Sequence, residues 1–169
     1  MMILRKGKID QIGTPEEIYY THKVDFAGML VGEPPMNMVD GFLVNQNGKM
    51  FFKAGDSFEF ELTKDAANEA EKSAKNTDKG LYVRLGIRCE YIKVSDQKMS
   101  DNSFQLPVYA VAREAESSVV TFELDNSFLH SKISRGKGYE NSRTSEKVWL
   151  EFDQGNMYFY EKTVELSKA

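Results

Sequence analysis

The chain has 169 residues, 41% of them hydrophobic and 12% aromatic, a net charge of −4 and one cysteine, Cys89. That fits one domain of ordinary size, or one domain with an appendage, and enough apolar material for a core. A lone cysteine excludes an internal disulfide and a cysteine zinc cluster. No apolar run approaches the ~20 residues of a membrane helix, and Met1 to Leu4 is too short for a signal sequence. The expectation is a soluble, cytoplasmic protein. Basic residues scattered under an acidic balance argue against a nucleic-acid surface.

In chain order, Met2 to Leu4, a turn at Lys6-Gly7 and Lys8 to Ile12 predict a two-stranded ribbon, which is marginal in isolation. Thr14 to Glu17 is a compact helix start: Thr14 caps, Pro15 suits the first helical position and Glu17 completes a capping box. Val24 to Leu30 predicts a second short helix. Gly32-Glu33-Pro34-Pro35 stops it, since Pro35 restricts the residue before it and neither proline donates a backbone hydrogen bond.

From Met38 onward the pattern is short strands. Met38 to Val44 is a strand with a bulge or bend expected at Gly41. Asn45 to Gly48 is a hairpin turn, Lys49 to Lys53 returns, and Ser57 to Leu62 alternates with Phe58, Phe60 and Leu62 on one face. Thr63 to Asn76 has good helix formers but no large apolar residue, so it reads as a short exposed helix or a loop. Leu81 to Ile87 alternates again. Phe104 to Glu116, Val119 to Leu124 and Phe128 to Ile133 follow, with turns at Ser117-Ser118 and at 125–127 and with Pro107 at an edge or bulge. Ser134 to Glu146 is a long polar loop. Lys147 to Phe152 is a strand, and Met157 to Tyr160 is a final apolar run.

Residues suited to chemistry are sparse. The Gly-Lys pairs at Gly7, Gly48 and Gly136 lack the following Ser/Thr and the strand–glycine context of a phosphate cradle. His22 and His130 are far apart without carboxylates at ligand spacing, and read as surface residues rather than metal ligands. Cys89 has no neighbouring histidine and reads as a buried, inert thiol. Glu114, Glu116 and Glu123 read as solvent-facing. Ser131, Lys132, Ser134, Arg135 and Lys137 form a candidate anion-binding loop, weighed against a solvated hairpin loop. The aromatics Phe104, Tyr109, Phe122, Phe128, Trp149, Phe152, Phe159 and Tyr160 alternate with polar residues, which makes most of them core rather than stacking platforms for bases.

Residues 7–37 also carry a family resemblance. Gly7, Ile9, Gln11, Gly13, Thr14, Pro15, Glu17, Ile18 and Tyr19, then Phe26, Gly32, Pro34 or Pro35, Met36 and Asn37, fall in an ordered pattern. It resembles the end of the ATPase domain of ABC importer ATP-binding subunits of the maltose, sugar and glycerol-phosphate type. A second match is Gly86, Ile87, Arg88, Glu90 and Ile92, with Cys89 where the family has proline and Tyr91 where it has histidine. The segment 148–160 resembles the close of the family's regulatory domain, with Tyr158 again in place of a histidine.

The resemblance implies a mainly β chain: an OB-like antiparallel barrel of the TOBE/MOP type, preceded by a short hairpin and helical segment. Residues 1–31 would be the remnant of the ATPase domain and 32–169 the C-terminal regulatory domain. Arg88 and Glu90 are expected to pair and pin a turn. No cofactor is expected here, since ATP and magnesium would bind the ATPase domain. Implied partners are a second copy, the ATPase domain, membrane permease subunits and regulatory proteins, at the inner face of the membrane. Three readings follow: a non-catalytic regulatory and dimerisation domain, a small-oxyanion sensor of the molybdate or sulfate type, and an OB-like nucleic-acid binder disfavoured by charge. With the ATPase sheet gone, residues 1–31 should fold back onto their own barrel, swap onto a second copy, or stay disordered.

Overall fold

The computed structural model describes residues 1–21, 23–55, 58–125, 127–134, 136 and 146–161. The N-terminal ribbon is β1 (Met2–Arg5) against β2 (Lys8–Ile12), turned through Lys6 and Gly7 at positive φ. Helices α1 (Pro15–Tyr20) and α2 (Asp25–Leu30) follow. The capping box forms as the sequence requires: the Glu17 amide donates to Thr14 Oγ1 at 3.1 Å, and the Thr14 amide donates to Glu17 Oε2 at 2.7 Å. Gln11 ties ribbon to helices, donating to the Thr21 carbonyl at 3.0 Å and accepting from the Lys23 amide at 3.2 Å. Ile3, Ile18 and Ala27 make a small core of their own there.

The remainder is antiparallel β in two sheets. The six-stranded sheet runs β13 (Met157–Tyr160), β7 (Gly80–Ile87), β3 (Asn37–Gln46), β4 (Lys49–Ala54), β5 (Phe58–Glu61), and the short β6 (Lys75–Thr77) also pairs with β7. The five-stranded sheet runs β11 (Ser127–Ser134), β10 (Ser117–Leu124), β9 (Phe104–Arg113), β12 (Lys147–Phe152), β8 (Ile92–Ser95). Its two ends approach one another: Ser131 of β11, fully buried, donates its hydroxyl to the Ile92 carbonyl of β8 at 2.7 Å. The sheet thus curls towards a barrel, closed on that side by a side chain rather than by a backbone ladder. Both sheets face one core, in which Phe52, Phe58, Phe60, Phe104 and Phe152 pack ring against ring at centroid distances of 4.7–6.3 Å.

Several local expectations change. Gly41 makes no bulge. It pairs in register with Val83, and the Phe52 ring and the Lys53 carbonyl lie where its Cβ would stand, 2.5 and 2.6 Å away. Close approach, not backbone bending, requires glycine there. Ser117 and Ser118 belong to β10. The turn lies before them, where the Glu114 amide donates to the Ser117 carbonyl at 2.9 Å. Pro107 sits where β9 changes partner, facing β12 through residue 107 and β10 from Val108 onward. Tyr109 is the extra residue of the adjoining bulge. His130 is half-buried on β11 rather than at the surface, with Nδ1 3.1 Å from Thr121 Oγ1, and burial lowers its pKa. Most of the aromatics are core, as read from the sequence, but Tyr109 and Phe128 stand exposed as a pair, ring centroids 4.7 Å apart. His22 lies outside the described residues.

The 64–73 segment is a helix, α3 (Lys64–Ser73), capped by Thr63, whose hydroxyl accepts from the Ala66 amide. It lacks large apolar residues because it lies close on β13, β4 and β7. Ala66 and Ala70 are the buried contacts, at 6% and 0% exposure. Enlarging such a contact forces the layers apart. Ala70→Leu is therefore expected to cost about 1–3 kcal/mol in denaturant unfolding, while Glu71→Gln on the exposed face should change stability by less than about 0.5 kcal/mol.

Candidate functional site: the junction at β7

Strand β7 runs apolar, Leu-Tyr-Val-Arg-Leu-Gly-Ile, with an arginine in its middle. Residues 83–87 are buried on both faces, so the Arg84 side chain has no route to water; it is 0% exposed. Its charge is met inside. Arg84 Nη1 donates to Asp25 Oδ2 of α2 at 2.7 Å. Nε and Nη2 donate to the two carboxylate oxygens of Asp40 on β3, at 2.7 and 3.0 Å. Burial works against the cation, but the hydrogen bonds and charges of Asp40 and Asp25 outweigh it and raise its pKa.

Four residues on, at the end of the strand, Arg88 is 2% exposed. It donates through Nε and Nη2 to the Tyr19 carbonyl, at 3.2 and 2.8 Å, and through Nη1 to the Val31 carbonyl at 2.8 Å. Its guanidinium lies 3.6 Å from the centroid of the Tyr19 ring. The expected Arg88–Glu90 pair is not made: among the described residues the two meet on Tyr19 instead. Glu90 accepts from the Tyr19 hydroxyl at 2.8 Å, and Tyr19 is pushed up to about 12 by burial and then by that bond. The short helical turn after Arg88, Cys89–Tyr91, aims Glu90 back at α1 rather than at Arg88. Cys89 is buried and donates weakly to Glu90 at 3.4 Å, and burial with this bond pushes its pKa to about 11, which fits an inert thiol.

The other signature residues serve the same junction. Gly13, Thr14, Pro15 and Glu17 build the start of α1. Gly32 has φ +110, and an added Cβ would sit 2.7 Å from Arg88 Nη1. Pro35 lies exposed in the connection to β3. Gly86 leaves room for Met36 and Tyr160: an added Cβ would meet Met36 Sδ at 2.7 Å and the Tyr160 ring at 2.8 Å. Asn37 is buried and joins the two sheets. It donates to the carbonyls of Ile87 and His130, at 3.2 and 2.9 Å, and accepts from the His130 amide at 2.7 Å. Tyr158 of β13 donates to the Tyr20 carbonyl at 2.9 Å.

The candidate anion loop does not assemble in its described part. Ser131 points inward and is spent on Ile92, whereas its neighbour Lys132 faces the other way and pairs with Glu114 at 3.0 Å. Ser134 is exposed at the end of β11, and Arg135 and Lys137 lie outside the described residues. Glu114, Glu116 and Glu123 are exposed, as expected. Among the described residues no group of three or more His, Cys, Asp or Glu is placed to hold a metal ion, and no helix is long and apolar enough to cross a membrane.

Comparison with known proteins gives this junction its context. The chain is 30% identical over 118 residues to the xylose/arabinose import ATP-binding protein XacK of Haloferax volcanii, a match covering 70% of this chain and 28% of the relative. It is 32% identical over 97 residues to the sn-glycerol-3-phosphate import ATP-binding protein UgpC of Salmonella typhimurium, covering 57% of this chain and 24% of the relative. This chain is related to the ATP-binding subunits of ABC importers. It aligns over 99% of its length, at 23% identity, with 43% of the ABC transporter ATP-binding protein YcjV of Escherichia coli. The chain thus spans between about a quarter and under a half of these relatives. No family model matches it. Among solved structures, the cytoplasmic molybdate-binding protein ModG, with molybdate bound, superimposes with a TM-score of 0.54 at 12% identity, covering 75% of this chain and 96% of that one. The shared fold is the OB-like, TOBE-type β architecture anticipated from the sequence.

Arg84, Asp25 and Asp40 were not singled out by sequence reading. The available signal was an arginine amid an apolar strand run, which implies a buried carboxylate partner without saying which one. Removing the cation takes from the buried Asp25 carboxylate the guanidinium that neutralises it. Arg84→Met is expected to cost about 3–5 kcal/mol in equilibrium unfolding, against about 0.5 kcal/mol or less for loss of the exposed Lys72–Glu69 pair in Lys72→Met.

Proposed function

We propose that this chain is the non-catalytic, C-terminal regulatory and dimerisation part of the ATP-binding subunit of a sugar-type ABC importer. The observation that carries the reading is the alignment of 99% of the chain with under half of an ABC transporter ATP-binding protein. The sequence itself supports it, since no G-x-x-x-x-G-K-[ST] phosphate loop occurs in it. The junction supports it too: the residues matching the family pattern there are spent on packing, caps and main-chain hydrogen bonds, which suits a scaffold. In this reading ATP and magnesium bind elsewhere in the full subunit. Permease subunits and regulatory proteins are its partners, at the cytoplasmic face of the membrane. A second copy is the partner closest at hand. Met2, Leu4, Ile9 and Ile12 lie on one face of the ribbon, as cross-strand pairs Met2–Ile12 and Leu4–Ile9, each more than half exposed. Exposed apolar patches favour association.

A small-oxyanion sensor is the second reading, favoured by the fold shared with a molybdate-bound protein. The inward turn of Ser131 and the Lys132–Glu114 pair weigh against it in the described part of the loop.

Three measurements on the purified chain separate these. Light scattering at tens of micromolar should give a dimer, and a monomer would discard the dimerisation role. Magnesium-dependent ATP turnover should stay at background, and genuine turnover would overturn the non-catalytic assignment. A ligand that binds only the native state must raise its melting temperature. Molybdate, tungstate and sulfate should therefore leave it unchanged, and a saturable rise would favour the sensor.

A further inference from the structure

The N-terminal segment and the β domain do not share one apolar core. Ile3, Ile18 and Ala27 form one cluster, the sheets another, and Met36, Met38 and Tyr160 a third, on which Met29 of α2 and Tyr158 of β13 pack. Groups of independent core are ordinarily free to open separately, each with its own local stability. Here the polar contacts contradict that expectation. Both sides of the α1–α2 segment are gripped from one strand and its immediate continuation. Arg84 holds Asp25 at the start of α2, and Arg88 holds the carbonyls of Tyr19, at the end of α1, and Val31, just past α2.

The two grips differ in kind. Arg84 is an internal ion cluster with carboxylates from two elements, and opening it would expose or strand buried charge. Tyr19 is held at three points, two of them by Arg88: its carbonyl under the fork and its ring against the guanidinium face, with its hydroxyl on Glu90 as the third. A planar fork with two acceptors in fixed directions tolerates little sliding. Gly32 leaves the space that the fork needs to reach Val31.

We propose that Arg84 and Arg88 make residues 14–31 and β7 one cooperative unit, so that movement imposed on the N-terminal segment is conveyed to the six-stranded sheet instead of being absorbed in the connection at 32–36. The placement of the grips supports a direct relay. Residues 84–87 of β7 pair with β3 on one side and β13 on the other, so a displacement there acts on both neighbouring strands.

Native-state hydrogen exchange on the full chain tests this. The reporters are the amides of Ile18, Thr21 and Val31, which donate within the segment to Thr14, Glu17 and Ala27, compared with those of Val83 and Leu85 in β7. In the native chain all five should exchange through one opening, with the same dependence on denaturant. In Arg88→Met the three segment amides should lose at least tenfold in protection, while β9 and β12 keep theirs. Arg88→Lys, which keeps the charge and loses the fork, should behave like Arg88→Met. Segment amides that open in the native chain while β7 stays protected would overturn the proposal. So would an Arg88→Met or Arg88→Lys profile that matches the native one. Should Arg88→Met fail to fold, Tyr19→Leu removes the ring and hydroxyl contacts from the other side and must give the same selective loss.

Discussion

Two guanidiniums taken out of water at β7 set the constraint that the rest of this structure satisfies. Burying an unpaired charge costs several kcal/mol, so Arg84 is tolerable only while Asp25 and Asp40 stay beside it, and those two carboxylates come from different elements. Helix α2 must therefore lie on the sheet at one place, and β3 must pair with β7 in one register, with Asp40 opposite Arg84. A one-residue slip in that pairing would turn Asp40 to the other face. Arg88 then fixes the end of α1. The small residues around the junction follow from the same demand. Gly32 and Gly86 stand where a Cβ would collide with Arg88 in the first case, and with Met36 and Tyr160 in the second.

The β domain carries the complementary device. The five-stranded sheet does not close by a backbone ladder. Its ends are joined by the Ser131 hydroxyl on the Ile92 carbonyl, and its outer strand is tied to β3 by Asn37 on the main chain of His130. Single polar side chains thus connect the N-terminal segment, the first sheet and the second. Such connections are directional, so they specify geometry more than they add stability. That suits the scaffold role proposed above, and the homology to importer ATP-binding subunits accords with it.

Much of this was legible in the chain. Strand β12 spans the segment read as a strand and β13 the final apolar run, the capping box of Thr14 and Glu17 forms as spelled, and the family pattern at 7–37 and 84–92 led to the right relatives and fold. What was missed depended on distance in space. Asp25 and Arg84 are 59 residues apart and nothing local marks either as a partner. Arg88 and Glu90 looked like a pair because they are neighbours in sequence, but the short helical turn between them sends both to Tyr19. Ser131 looked like an anion ligand because it precedes a basic loop, yet strand alternation turns it inward and leaves Lys132 outside. Helix α3 could not be told from a loop because its contacts are alanines, which carry little hydrophobic signal. Gly41 looked like a bend because a glycine's sequence context does not show what packs on it.

The central claim is that the buried Arg84–Asp25 contact couples the N-terminal segment to the sheet. A double-mutant cycle of Arg84→Met and Asp25→Leu, read by denaturant unfolding of the full chain, isolates that contact from everything else either residue touches. The account predicts strong non-additivity, with the double variant more stable than the sum of the single losses by about 2 kcal/mol or more. Losses that simply add, to within about 0.5 kcal/mol, would contradict it.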